Sequence, residues 1–136
     1  MNVNLDVARV IKEFHAAGKP MALCCIAPIL AAKVLGTNVS LLSHKCDPSP
    51  TNSKNPEQGV QLTMGRQGEE SKWPYGGAID AAKSFGAVMV DKDVGEVCVD
   101  QKNKIVSSPA FMYNGEFHEI QEGVGNMVKE LLKMIK

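Results

Sequence analysis

The spacing of apolar residues divides the chain into elements. Val7, Val10, Ile11 and Phe14 recur at i, i+3, i+4 and i+7, one stripe of an amphipathic helix. Asn4 stands where an N-cap is needed, Asp6 falls in the first turn, and Gly18 followed by Pro20 is a stop signal. Met21-Ala22-Leu23-Cys24-Cys25 is apolar without alternation, the pattern of a strand buried on both faces in a parallel sheet. Pro28 suits the first helical position, where a missing N–H loses no bond, and Ile29 to Leu35 carries the helix to Gly36. Met21 to Leu35 is therefore predicted as strand, tight turn, helix.

Residues 37–59 break this rhythm. Cys46 to Pro56 holds Pro48, Pro50 and Pro56 among turn formers, and predicts an exposed, inserted flexible loop, either an insertion or a lid. Val60 to Met64 alternates as a strand, Trp73-Pro74-Tyr75-Gly76-Gly77 is a turn, and Ala78 to Phe85 is a helix ending at Gly86. Ala87 to Val90 is a short strand. Val97 to Asp100 and Ile105 to Ser107 flank polar Gln101-Lys102-Asn103-Lys104 as a hairpin. Ile120, Val124, Met127, Val128, Leu131, Leu132 and Ile135 hold one face of a last helix, whose start Gly123 and Gly125 weaken by about 1 kcal/mol each relative to Ala. Helices alternating with short apolar strands predict a layered α/β sheet with helices on both faces. Few strands look centrally buried and a helix comes first, so the chain reads as the second half of a larger α/β domain.

Composition narrows the classes. With 136 residues, 44% hydrophobic and 22% charged, the chain has the makeup of one globular domain or part of one. Fifteen Lys+Arg balance fifteen Asp+Glu, which leaves no general electrostatic footprint for nucleic acid or anionic lipid. No apolar run approaches the ~20 residues of a membrane span. Four cysteines at irregular spacing do not make a disulfide framework and favour a reducing compartment. Met1 to Asp6 shows neither a secretory nor a transit signal.

The candidate chemistry lies at the predicted strand-to-helix turn. A nucleophile there needs small neighbours because the backbone is pinched. Cys25 has Ala27 two residues on and Pro28 opening the helix, whereas Cys24 has bulkier Ile26 at that offset. A helix N-terminus at Ile26 and Ala27 would offer N–H groups and positive dipole charge, favouring a thiolate at Cys25 and holding an oxyanion. A cysteine ending a core strand serves equally well as packing. His15, His44 and His118 are the histidines that could act as its base, and none has a spacing that brings it to Cys25. There is no Cys-x-x-Cys or His-x-x-x-His pair, so neither a metal nor, with only Gly65 and Gly68 spaced as they are, a dinucleotide cofactor is expected. Glu69-Glu70 reads as a solvated turn and Trp73 as a packing anchor. The Cys24-Cys25 pair also admits a redox-sensing role.

Gly18-Lys19-Pro20 leading to Cys24-Cys25-Ile26-Ala27-Pro28, with Lys72-Trp73-Pro74-Tyr75, Val99-Asp100-Gln101-Lys102-Asn103-Lys104 and Ser108-Pro109-Ala110-Phe111-Met112, resembles the mitochondrial glutamine amidotransferase-like class 1 domain proteins of animals. That family is similar to a bacterial glyoxalase associated with isoprenoid biosynthesis and to the Cys-dependent deglycases and intracellular proteases. The resemblance implies a flavodoxin-like α/β sandwich, often homodimeric, with Cys25 as the elbow nucleophile. It also implies addition of that thiolate to a small 2-oxoaldehyde, leading to a hydroxy acid without a cofactor. The family's long N-terminal half supplies the first strands of the sheet and an acidic partner for the cysteine. This chain is expected to begin after that half, leaving the sheet incomplete.

Many superfamily members carry a His where this chain has Met64-Gly65-Arg66-Gln67, so no His transfers. The expectation is a weak or inactive glyoxalase-like or deglycase-like protein. The alternative is a non-catalytic interaction or regulatory module, as a truncated isoform or pseudoenzyme. A homodimer or association with a full-length paralogue is the expected assembly. The compartment is mitochondrial by resemblance, or cytoplasmic where no targeting peptide operates.

Overall fold

The computed structural model describes residues 2–36 and 59–135. The predicted inserted loop over 37–59 lies, apart from Gly59, outside the described residues, as do His44 and Cys46.

Helix α1 (Leu5–Ala16) starts where the sequence places it. The Asn4 side chain accepts from the N–H groups of Asp6 (2.9 Å) and Val7 (3.4 Å), satisfying two otherwise orphaned donors. Its apolar stripe behaves differently from expectation. Only Ile11 reaches the core, joined by Val3 and Ala8 packed against it, while Val7, Val10 and Phe14 stay 40–44% exposed.

Strand β1 (Met21–Cys24) pairs in parallel with β5 (Ile105–Ser108), and β4 (Cys98–Asp100) pairs with β5 in antiparallel fashion. The sheet order is β1-β5-β4. The predicted hairpin is therefore present, and its second strand is also the centre of the sheet, with all four residues buried. The expectation that β1 is buried on both faces is corrected. Every residue of β1 is half-buried, because β5 covers one of its edges and no strand among the described residues covers the other.

Helix α2 (Pro28–Leu35) has Pro28 at its first turn and buries six of its residues, of which Ile29, Ala31, Ala32, Val34 and Leu35 share one core cluster with Leu62, Met64, Ile79 and Ile105. Strands β2 (Gln61–Leu62) and β3 (Val88–Met89) form a separate parallel pair around α3 (Gly76–Ser84). The predicted strand over Val60 to Met64 is shortened and does not alternate, since Val60, Leu62, Thr63 and Met64 are all buried. The reason is visible in its hydrogen bonds. Gln61 N–H donates to Asp100 Oδ2 at 2.8 Å and Thr63 N–H to Ser107 Oγ at 2.9 Å, so side chains of the larger sheet stand in for a backbone ladder.

A 3-10 turn (Ala110–Met112) follows β5, and helix α4 (Phe117–Met134) closes the molecule. Glu116 and Glu119 cap that helix reciprocally. Gly123 lets α4 approach the loop before β4, because a Cβ there would lie 2.0 Å from Val94 O. Ile120, Gly123 and Met127 form the buried line of α4, while Val128, Leu132 and Ile135 of the predicted face remain exposed.

Candidate functional site

The site is built where β1 hands over to α2. Cys25 has φ +60°, a left-handed conformation that a side chain makes unfavourable by roughly 1–2 kcal/mol. The fold holds it there from both sides. Its N–H donates to Ser108 O at 3.1 Å, extending the β1–β5 ladder by one residue, and Pro28 begins the helix three residues later. The thiol-bearing residue is half-buried, packed against the core cluster on one side and open on the other. This is the elbow that the Cys-x-Ala-Pro spacing predicts.

The turn's amides are mostly committed. Ala27 N–H donates to Cys24 O (3.1 Å), Ile29 N–H to Ile26 O (3.1 Å) and Leu30 N–H to Ala27 O (3.0 Å). Pro28 has no N–H. Of the two residues expected to support an oxyanion, Ala27 therefore uses its donor to close the turn. Ile26, 49% exposed, keeps an amide without a hydrogen-bond partner among the described residues.

The other described cysteines are set apart by their surroundings. Burial pushes the Cys24 thiol up from its ordinary 9.0, and charge on neighbouring Cys25 pushes it further in the same direction. Burial, with Asp100 nearby, raises Cys98 to about 11. Both are held as neutral thiols.

The histidines do not come to the cysteine. His15 Nε2 lies 2.9 Å from Asn103 Oδ1, and Asn103 Nδ2 donates to Asp100 Oδ2 at 2.8 Å. Since Asn103 presents its oxygen to the ring, Nε2–H is the donor in that pair. Asp100 also accepts from Asn103 N–H (3.1 Å), so His15 ends a relay that ties α1 to the hairpin. Met21 N–H donates to Lys104 O, which puts this relay at the start of β1. Four strand steps, about 13 Å, separate that end from Cys25. His118 is exposed on the first turn of α4, without a hydrogen-bond partner among the described residues. No group of His, Cys, Asp and Glu fit for a metal occurs among the described residues.

Ser108 is the site residue that spacing arguments overlook. It stands opposite Cys24 in the β1–β5 register and its carbonyl holds Cys25, while its own Oγ is buried without a partner among the described residues. Ala110, at φ +46°, bends the chain just beyond it. The polar Ser107-Ser108-Pro109 ending to a buried strand is the signal that marks this position. Trp73 is a packing residue: buried, it sits 4.9 Å from the Tyr113 ring and over Gly65, whose φ of +92° admits no Cβ beneath the indole.

A cleft of about 470 Å³ lies at the opposite end of β1, lined by Lys19, Lys104, Glu130 and Lys133. Two of its lysines are engaged within the chain, Lys133 with Glu130 at 2.6 Å and Lys19 over the Phe14 ring. No helix among the described residues is long and apolar enough to cross a membrane.

No family model matches the chain. It is 46% identical over 133 residues to the ES1 protein homolog, mitochondrial, of Rattus norvegicus, covering 97% of this chain and 42% of that protein. It is likewise 46% identical to the glutamine amidotransferase-like class 1 domain-containing protein 3, mitochondrial, of Homo sapiens, covering 97% of this chain and 41% of that one. The ES1 protein, mitochondrial, of Danio rerio is 37% identical. Among solved structures, the isoprenoid biosynthesis protein with amidotransferase-like domain from Ehrlichia chaffeensis superposes with a TM-score of 0.71 at 19% identity, over 99% of this chain and 50% of that one. The chain thus has the amidotransferase-like α/β fold and spans about two-fifths of the curated relatives it matches.

Proposed function

For a chain homologous to part of the mitochondrial glutamine amidotransferase-like class 1 domain proteins, we propose that Cys25 is the nucleophile of a glyoxalase-type conversion of small 2-oxoaldehydes. The observation that carries this reading is the elbow: a cysteine at φ +60° between a strand end and a helix start, with the Ile26 amide unspent beside it.

The chemistry balances without a cofactor. The Cys25 thiolate adds to the aldehyde carbon, a C–S bond forms, and the carbonyl electron pair moves to oxygen, where Ile26 N–H can meet the charge. The hydrogen on that carbon leaves as a proton and a proton returns to the adjacent carbonyl carbon through an enediol. One carbon is oxidised as its neighbour is reduced, giving the thioester of a 2-hydroxy acid. Water cleaves the C–S bond, releasing the hydroxy acid and restoring the thiol.

Glyoxal consumption by the chain, by Cys25→Ser and by Cys24→Ser tests it. Cys25→Ser is expected to lose about 100-fold or more of the rate, with Cys24→Ser near the unmutated chain. Equal rates for the chain and Cys25→Ser reject the catalytic reading.

One observation favours a second reading, a non-catalytic interaction or regulatory module. His15 is committed to Asn103, and no His or carboxylate is hydrogen-bonded to the Cys25 thiol among the described residues. A folded chain that consumes glyoxal no faster than buffer supports it. The relatives are named mitochondrial, and we place this chain in the same compartment by that kinship.

A further inference from the structure

Helix α4 buries one line of residues and displays another. Ile120, Gly123 and Met127 face the core. Gln121, Gly125, Val128, Leu132 and Ile135 form a second stripe, about 120–140° around the helix from the first. On it Val128, Leu132 and Ile135 are 43–60% exposed. The steps along the stripe are four, three, four and three residues, the period with which one helix seats on another. A Cβ at Gly125 would meet nothing within 4 Å, so no other part of the described chain covers the middle of the stripe.

The charges beside the stripe are left over in the same way. Glu130 and Lys133 pair with each other at 2.6 Å. Glu122 and Lys129, both exposed, have no ion-pair partner among the described residues. They stand seven residues apart on one flank of the stripe, about 10.5 Å along the helix axis, and do not face each other. The other flank carries half-buried Val124 and Leu131, also seven residues apart. One flank is thus apolar, and the other holds one charge of each sign.

We propose that the exposed face of α4 is an interface between two copies of this chain, packed antiparallel about a two-fold axis level with Asn126. Such an axis sets Gly125 against Val128 and Gln121 against Leu132 across the seam, alike in both copies. It also brings Val124 of one copy to Leu131 of the other, and Glu122 to Lys129, each contact being made twice. A parallel pair would instead place Lys129 against Val124 and leave Glu122 without a cation. The contact spans about four turns of one helix, which puts it among small, weak interfaces with a dissociation constant of about 1–100 μM.

Sedimentation equilibrium of the 136-residue chain, over about 1–500 μM at low salt, tests the proposal. A monomer–dimer equilibrium is expected. Leu132→Glu changes an exposed position and is expected to weaken the dimer about 100-fold with its circular dichroism retained. Glu122→Lys and Lys129→Glu are each expected to weaken it about tenfold, because each sets like charges together across the axis. The double variant restores opposite charges and is expected to regain the unmutated affinity. Three results overturn the proposal: a chain that stays monomeric throughout, a double variant no tighter than the single ones, or a dimer that Leu132→Glu leaves unchanged. The last is the behaviour of a dimer formed through exposed Val7, Val10 and Phe14 of α1. Should Leu132→Glu lose its circular dichroism, the charge reversals decide. None of these readouts depends on whether Cys25 is a nucleophile.

Discussion

Cys25 occupies a conformation that glycine reaches freely and other residues do not. This reverses the usual order of small residues. Cys25→Gly and Cys25→Ala both remove the thiol, and the glycine variant is expected to be the more stable by about 1 kcal/mol, where elsewhere Ala wins. Urea denaturation of the two variants measures the difference, and an alanine variant equal or superior would mean that the elbow stores no strain. The elbow's place was legible because Ala27 and Pro28 are local signals. The commitment of the Ala27 amide to Cys24 O was not, since spacing fixes which residues form a turn but not which donors it consumes. Nor was the task of His15, whose partner Asn103 lies 88 residues away in sequence.

Among elements, α4 shows how one residue type takes opposite roles. Both Gly123 and Gly125 read as helix-weakening in sequence. In the structure a Cβ at Gly123 would meet the Val94 carbonyl at 2.0 Å, whereas one at Gly125 meets nothing within 4 Å. Gly125→Ala is therefore expected to stabilise by about 1 kcal/mol, and Gly123→Ala to destabilise by about 1–3 kcal/mol through overpacking. Thermal unfolding of the two variants checks the signs, and shifts in the same direction would contradict the close approach of α4. Element existence was legible for α1, α2, α4 and the β4–β5 hairpin, because period and caps are local properties. Which residues of an apolar stripe are buried was not, as the outward Val7, Val10 and Phe14 show, because a stripe can be wider than the surface it meets.

For the whole molecule, stability should respond to alkaline pH through Cys98. Its thiol, buried beside Asp100, is raised from 9.0 to about 11, so the folded state holds a proton that the unfolded state releases. That contribution is intact below pH 9 and is lost as pH rises through about 11, by roughly 2–3 kcal/mol at most. Chemical denaturation at pH 7.5 and pH 10.5 should show a larger loss for the unmutated chain than for Cys98→Ala; equal losses would remove Cys98 as the cause. The chain order by itself determined the helices, the strand-turn-helix unit that carries Cys25, the hairpin and the α/β class, because each follows from neighbours within a turn or two. Only the tertiary structure decided that β5 lies between β1 and β4, that β2 is bound through Asp100 and Ser107, and that His15 is spent at the far end of β1. Those outcomes depend on pairings between distant segments, and a hydrogen bond across the fold leaves no periodic trace in the sequence that makes it.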